Sequence, residues 1–84
     1  MTLYNYFGKI NLIGGRVKQR RRELGMSQGD LAAKLQIEGV DVVQKSVSRI
    51  ETGNRIVTDY EVLSLAKVLK VDVMWLLTGE NPTR

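Results

Sequence analysis

Residues 39–55 read "GVDVVQKSVSRIETGNR", and the polar members of this stretch have a definite chemistry. Gln44 carries an amide that donates and accepts, Lys45 and Arg49 carry charged donors, and Ser48 carries a hydroxyl. On a helical wheel of about 100° per residue, Lys45, Ser48, Arg49 and Thr52 gather on the side opposite Val43, Val47 and Ile50. The three apolar residues are expected to face a core and the polar set to face outward. Donors and acceptors in this pattern can recognise a hydrogen-bonding edge or an anion, and they lack a nucleophile with its base. Glu51 falls at the margin of the apolar face, where an unpaired carboxylate is costly to desolvate. It needs a cation, and Arg20 and Arg21, which flank the Ile13, Val17 and Leu24 face of an earlier segment, are both candidates by periodicity.

Five helices are expected to position these residues. The first covers about 12–24 and ends at Gly25, a left-handed cap. Five of the seven residues from Arg16 to Arg22 are basic. For Arg16, Lys18 and Arg22, a solvated face and contact with phosphates are equally open. The second helix opens at "SQGD", where Ser27 and Asp30 can form a reciprocal capping box, and it buries Leu31, Ala32 and Leu35. It runs on to about Ile37, and Gly39 turns the chain. The third helix begins near Val42, with Asp41 as its cap and Gln44 as the reciprocal partner, an arrangement that would draw Gln44 into capping. The fourth is introduced by "TDYE" and carries Val62, Leu63, Leu65, Ala66 and Leu69 as an apolar stripe. The fifth, "VMWLLTG", is capped by Asp72 and closes at Gly79. It is apolar on nearly every side, so Met74, Trp75 and Leu76 are expected either to be wrapped by the N-terminal segment or to form a homodimer contact.

At 84 residues the chain is one domain with a single core. It divides into an N-terminal arm at 1–11, a helical domain at 12–80 and a tail at 81–84. Cysteine and histidine are both absent, which removes disulfides, the usual zinc sites and the commonest general base. No cofactor and no enzymatic activity are expected. No apolar run approaches the roughly 20 residues of a membrane span, and no charged leader precedes one, so a cytoplasmic location is expected. Residues 1–55 hold ten Lys/Arg against five Asp/Glu, and residues 56–84 hold three against four. A basic surface confined to one part of a small domain suits an anionic polymer as partner. In the arm, Tyr4, Tyr6 and Phe7 could cover the domain's own surface, stabilise a dimer, contact the anionic partner or remain disordered.

The segments "RRELGMSQGDLAAKL", "SVSRIETGNR" and "LAKVLKVDVMWLLTGE" together resemble the Cro and lambda-repressor-like, XRE-type helix-turn-helix family over about 13–80. The resemblance implies an all-α, compact five-helix DNA-binding domain, with the helix-turn-helix at the second and third helices and the third in the major groove. Position by position, it makes Gln44, Lys45, Ser48 and Arg49 the readers of base edges. It makes Gln28, Ser46, Asn54 and Arg55 phosphate contacts, and Arg21 the partner of Glu51. Thirteen positions separate Leu35 from Ser48, more than is usual in the family, so a lengthened turn is expected. The function implied is a sequence-specific double-stranded DNA-binding transcriptional regulator, a repressor acting as a homodimer on an operator. The alternative is an antitoxin-like interaction module that binds a partner protein through the fifth helix.

Overall fold

A computed structural model describes residues 8–80; Tyr4, Tyr6 and Phe7 of the arm and the 81–84 tail lie outside them. Within that range the chain forms α1 (Gly14–Glu23), α2 (Gln28–Ile37), α3 (Gln44–Thr52), α4 (Asp59–Leu69) and α5 (Val73–Thr78). This is the expected all-α, five-helix architecture. α3 lies against α1 and α2, and α4 joins α1, α2 and α5 behind them. No described helix is long and apolar enough to cross a membrane.

Local chemistry accounts for most helix ends. Asn11 Oδ1 accepts from the main-chain N–H groups of Ile13 and Gly14 at 3.1 and 2.9 Å, which starts α1 two residues later than the periodicity implies. Gly25 closes it at φ +72°. The Ser27–Asp30 capping box is present in both directions, at 3.0 and 2.9 Å. The N–H of Ser27 bonded to the Asp30 carboxylate is the main reason that this carboxyl lies below its ordinary range.

The lengthened turn departs from expectation at its far end. α2 ends in a Schellman motif: Gly39, at φ +89°, donates to the Gln36 carbonyl, and Val40 donates to that of Leu35. From there to Val43 the chain leaves helical geometry, with the Val42 N–H donating to the Val40 carbonyl at 3.0 Å, and burial alternates: Val40 and Val42 are buried while Asp41 and Val43 are exposed. Val43 is therefore not a core residue, as its place on a helical wheel implied. Its period is two, because it precedes the helix. Asp41 does not cap α3 either: the residue before the first turn is Val43, whose N–H is met by the Ser46 hydroxyl at 3.5 Å. A side-chain bond from Gln36 Nε2 to the Val42 carbonyl holds the turn against α2.

In α4 the reciprocal half of the expected cap is present, the Thr58 N–H donating to Glu61 Oε1 at 3.1 Å. Leu65, Ala66 and Leu69 are buried, whereas Leu63 is 64% exposed and leaves the stripe. In α5 Asp72 accepts from the Met74 N–H at 2.8 Å. Leu76 is wholly buried in its own chain, so it anchors α5 and is not available to a dimer contact; Met74 is exposed and Trp75 half-buried.

The basic run of α1 proves largely structural. Arg16 donates to the carbonyls of Leu76 and Leu77 at 2.8 and 3.0 Å, and Arg20 to that of Leu69 at 2.8 Å. Both guanidiniums thus sit at the carbonyl ends of α5 and α4, where the helix dipole favours a cation. The Arg16 guanidinium is thus engaged by main-chain carbonyls rather than freely solvated. Lys18 and Arg22 remain exposed.

Candidate nucleic-acid interface

α3 is fixed from behind by Val47 and Ile50, which are 0% and 1% exposed. That orientation turns Lys45 and Arg49 fully outward and leaves Ser48 half-buried. None of these three side chains has a hydrogen bond or ion pair among the described residues. An unengaged cation pays little desolvation beyond its own when a partner arrives, so the face is chemically ready for a hydrogen-bonding edge.

Gln44 is different. Its Nε2 donates to Gln28 Oε1 at 2.6 Å, and Gln28 Nε2 donates to Glu51 Oε1 at 3.1 Å. Glu51 in turn accepts two bonds from Arg21, at 2.6 Å from Nε and 3.0 Å from Nη2. The choice that periodicity leaves open between Arg20 and Arg21 falls to Arg21, as the family resemblance implies, and Arg21 also donates to the Met26 carbonyl at 2.8 Å. The hydrogen bond to Glu51 raises the Arg21 pKa further above its ordinary value, against the desolvation of a buried guanidinium. Gln44 is thus engaged by α2 rather than by a cap. The four side chains run in a line from the interior between α1 and α3 to the exposed first turn of α3.

The carbonyl end of α3 is held by the segment before α1. Lys9 Nζ donates to the Thr52 carbonyl at 3.2 Å, and the Ile10 N–H to that of Gly53 at 2.9 Å. Asn11 Nδ2 bonds the carbonyls of Ile50 and Arg55 at 3.1 and 2.9 Å. Gly53 ends the helix at φ +81°. These residues were missed in the sequence, where the aromatic residues of the arm drew attention. The available signal was Asn11, an N-cap residue type just before an apolar start.

Of the expected phosphate contacts, Asn54 is exposed and Ser46 is half-buried beside the start of α3. Arg55 does not stand free: its Nη1 and Nη2 bond the two oxygens of the buried Glu61 at 2.9 and 3.1 Å. The guanidinium closes the 53–58 loop onto α4, and its charge is matched inside the fold. The hydrogen bond from Arg55 is the largest reason that the Glu61 carboxyl lies below its ordinary range. A carboxyl depressed in the folded state stabilises above its unfolded pKa and loses that contribution as pH falls through the folded one. Wild type and Glu61→Gln should therefore differ most in urea midpoint at neutral pH and converge well below about pH 4. A difference that grows on acidification would refute the clip.

A helix-turn-helix family model matches residues 17–76. HTH-type transcriptional regulator DicA of Escherichia coli (strain K12) is 37% identical over 69 residues, which are 82% of this chain and 47% of that protein. The chain spans about half the length of this curated relative. Among solved structures, the crystal structure of the P22 c2 repressor protein in complex with synthetic operator 9T in the presence of Tl+ superposes with a TM-score of 0.71 at 26% identity. The match covers 83% of this chain and 98% of that one.

Proposed function

The chain belongs to the lambda-repressor-like helix-turn-helix family, and on that premise we propose that it is a sequence-specific double-stranded DNA-binding transcriptional regulator reading the major groove with α3. One observation carries the proposal: among the described residues Lys45, Ser48 and Arg49 have no partner, on the outer face of a helix whose inner face, turn and carbonyl end are all secured. Arg49 and Lys45 donate to guanine O6 and N7, Gln44 pairs with adenine N6 and N7, and Ser48 bonds either partner. Gln28 approaches phosphate at the N-terminus of α2, where free amides favour an anion, and Ser46 and Asn54 flank α3 in the same role. Arg55 acts by shaping the loop beside them.

The regulator acts in the cytoplasm as a homodimer on two half-sites about one helical turn apart, with Met74 and Trp75 in the contact between copies. Repression is the mode we infer, in keeping with the operator-bound repressor that the fold matches. Selection of bound duplexes from a random pool tests the whole reading. A palindromic motif is the expected product, and a pool that stays unenriched would sink it. Arg49→Ala should then weaken binding to the selected duplex by about 1–3 kcal/mol while sparing random DNA; equal losses on both would remove Arg49 from base readout.

A further inference from the structure

The Glu51 side chain is buried, 2% exposed, yet it stands two hydrogen bonds from an exposed amide on the proposed reading face. Both of its oxygens accept from Arg21, and a carboxylate held in this way has lone pairs to offer and no proton. Whatever polar group meets it must donate. Gln28 is the group that meets it, and a primary amide can donate only through its nitrogen. The Gln28 amide is thereby fixed with Nε2 toward Glu51 and Oε1 toward Gln44. Gln28 Oε1 can only accept, so Gln44 must turn its own Nε2 toward it.

We infer that Glu51, without reaching DNA, sets the order in which Gln44 presents its donor and acceptor to the groove, and so acts as a positioning residue for sequence specificity. The inference rests on the DNA-binding reading proposed above. One N–H of Gln44 is committed to Gln28; the other N–H and Oε1 remain as a donor and an acceptor in fixed order. Adenine offers N7 as acceptor and N6 as donor in one order across the major groove, and an amide turned through 180° meets them reversed. An amide free to flip reads two patterns and discriminates poorly between them. An amide tied through Gln28 to an ionised carboxylate reads one. The Arg21–Glu51 pair thus has a consequence at the surface that its burial conceals.

The test exchanges acceptor-only and amphoteric groups along this line. Bound duplexes are selected with wild-type protein, and discrimination is measured by competition as the ratio of affinities for the preferred base and its alternatives at the position assigned to Gln44. In Glu51→Gln the residue at 51 can donate or accept, Gln28 is free to turn over, and the ratio should fall at least about fivefold. Gln28→Ala removes the link while leaving the Arg21–Glu51 pair in place, so Gln44 is released and the ratio should fall by a similar factor although Glu51 is unchanged. The double variant Gln28→Glu/Glu51→Gln should recover the ratio lost in Glu51→Gln, which repair of packing alone would not do.

A folded Glu51→Gln with an unchanged ratio overturns the inference, and so does an unchanged ratio in Gln28→Ala. Gln28→Ala retains the Arg21–Glu51 pair, so it tests the link even if Glu51→Gln does not fold. Failure of the DNA-binding reading would look different: wild-type protein would then enrich no sequence at all.

Discussion

Glu51→Ala should destabilise the domain by about 3–5 kcal/mol in urea unfolding at neutral pH, followed by the fluorescence of the single tryptophan, Trp75. The size follows from what is left behind rather than from what the pair is worth. Arg21 is 8% exposed and gives Glu51 two of its donors; with alanine at 51 a permanently charged guanidinium stays buried with only the Met26 carbonyl. A domain of this length has a total stability of roughly 4–12 kcal/mol, so the variant should be near its unfolding threshold at ambient temperature. Its thermal midpoint should fall by at least about 12 °C, taking about 4 °C per kcal/mol as the lower figure for a chain this small. Replacing both partners by apolar residues, Arg21→Met/Glu51→Leu, should restore much of the loss, because no uncompensated charge remains. The restored fold should still read sequence poorly, since Gln28 would have lost its acceptor. A loss below about 1 kcal/mol for Glu51→Ala would equate the pair with a surface salt bridge and refute its buried character.

The second large effect is a change of sign between adjacent glycines. Alanine in a helix is favoured over glycine by about 0.5–1 kcal/mol, so sequence alone recommends alanine at both Gly14 and Gly15. At Gly15 an added Cβ meets nothing within 4 Å, and Gly15→Ala should raise stability by about that amount. At Gly14 the same atom would collide with the Ile50 carbonyl oxygen and lie 2.9 Å from that of Glu51. These are main-chain atoms of α3 that no rotamer change can move aside, so α1 would have to withdraw. Gly14→Ala should cost about 3 kcal/mol, the upper end for overpacking a tight contact. It should also loosen the carbonyl end of α3, because Asn11 bonds Ile50 and caps Gly14 with the same side chain. Equal urea midpoints for the two alanine variants would disprove the close approach.

Much of the framework was legible because it depends on near neighbours. The Ser27–Asp30 box, the Gly25, Gly39 and Gly79 turns and the inward set Leu31, Ala32 and Leu35 are encoded within a few residues of where they act. The outward face of α3 was legible for the same reason: Lys45, Ser48 and Arg49 follow from Val47 and Ile50 at a period of 3.6. Val43 was misplaced where the period changed from 3.6 to 2, a transition that residue types alone do not mark. Leu63 and Leu76 were misjudged for a related reason. An apolar side chain has no local signature that distinguishes exposure from burial, and its partners come from distant parts of the chain.

The sequence by itself determined the five helices, the caps at Ser27, Thr58 and Asp72 and the side of α3 that is free to bind, since backbone propensity, capping and periodicity act over one or two turns. Only the tertiary structure decided that Arg16 and Arg20 close the ends of other helices and that Arg55 is matched by Glu61, and periodicity left to it which arginine meets Glu51. It alone joined Gln44 through Gln28 to a buried carboxylate. A charge in the sequence is a demand for a partner without an address. The address is fixed when segments 30 to 60 residues apart are packed side by side, where desolvation makes an unmatched group too costly to keep.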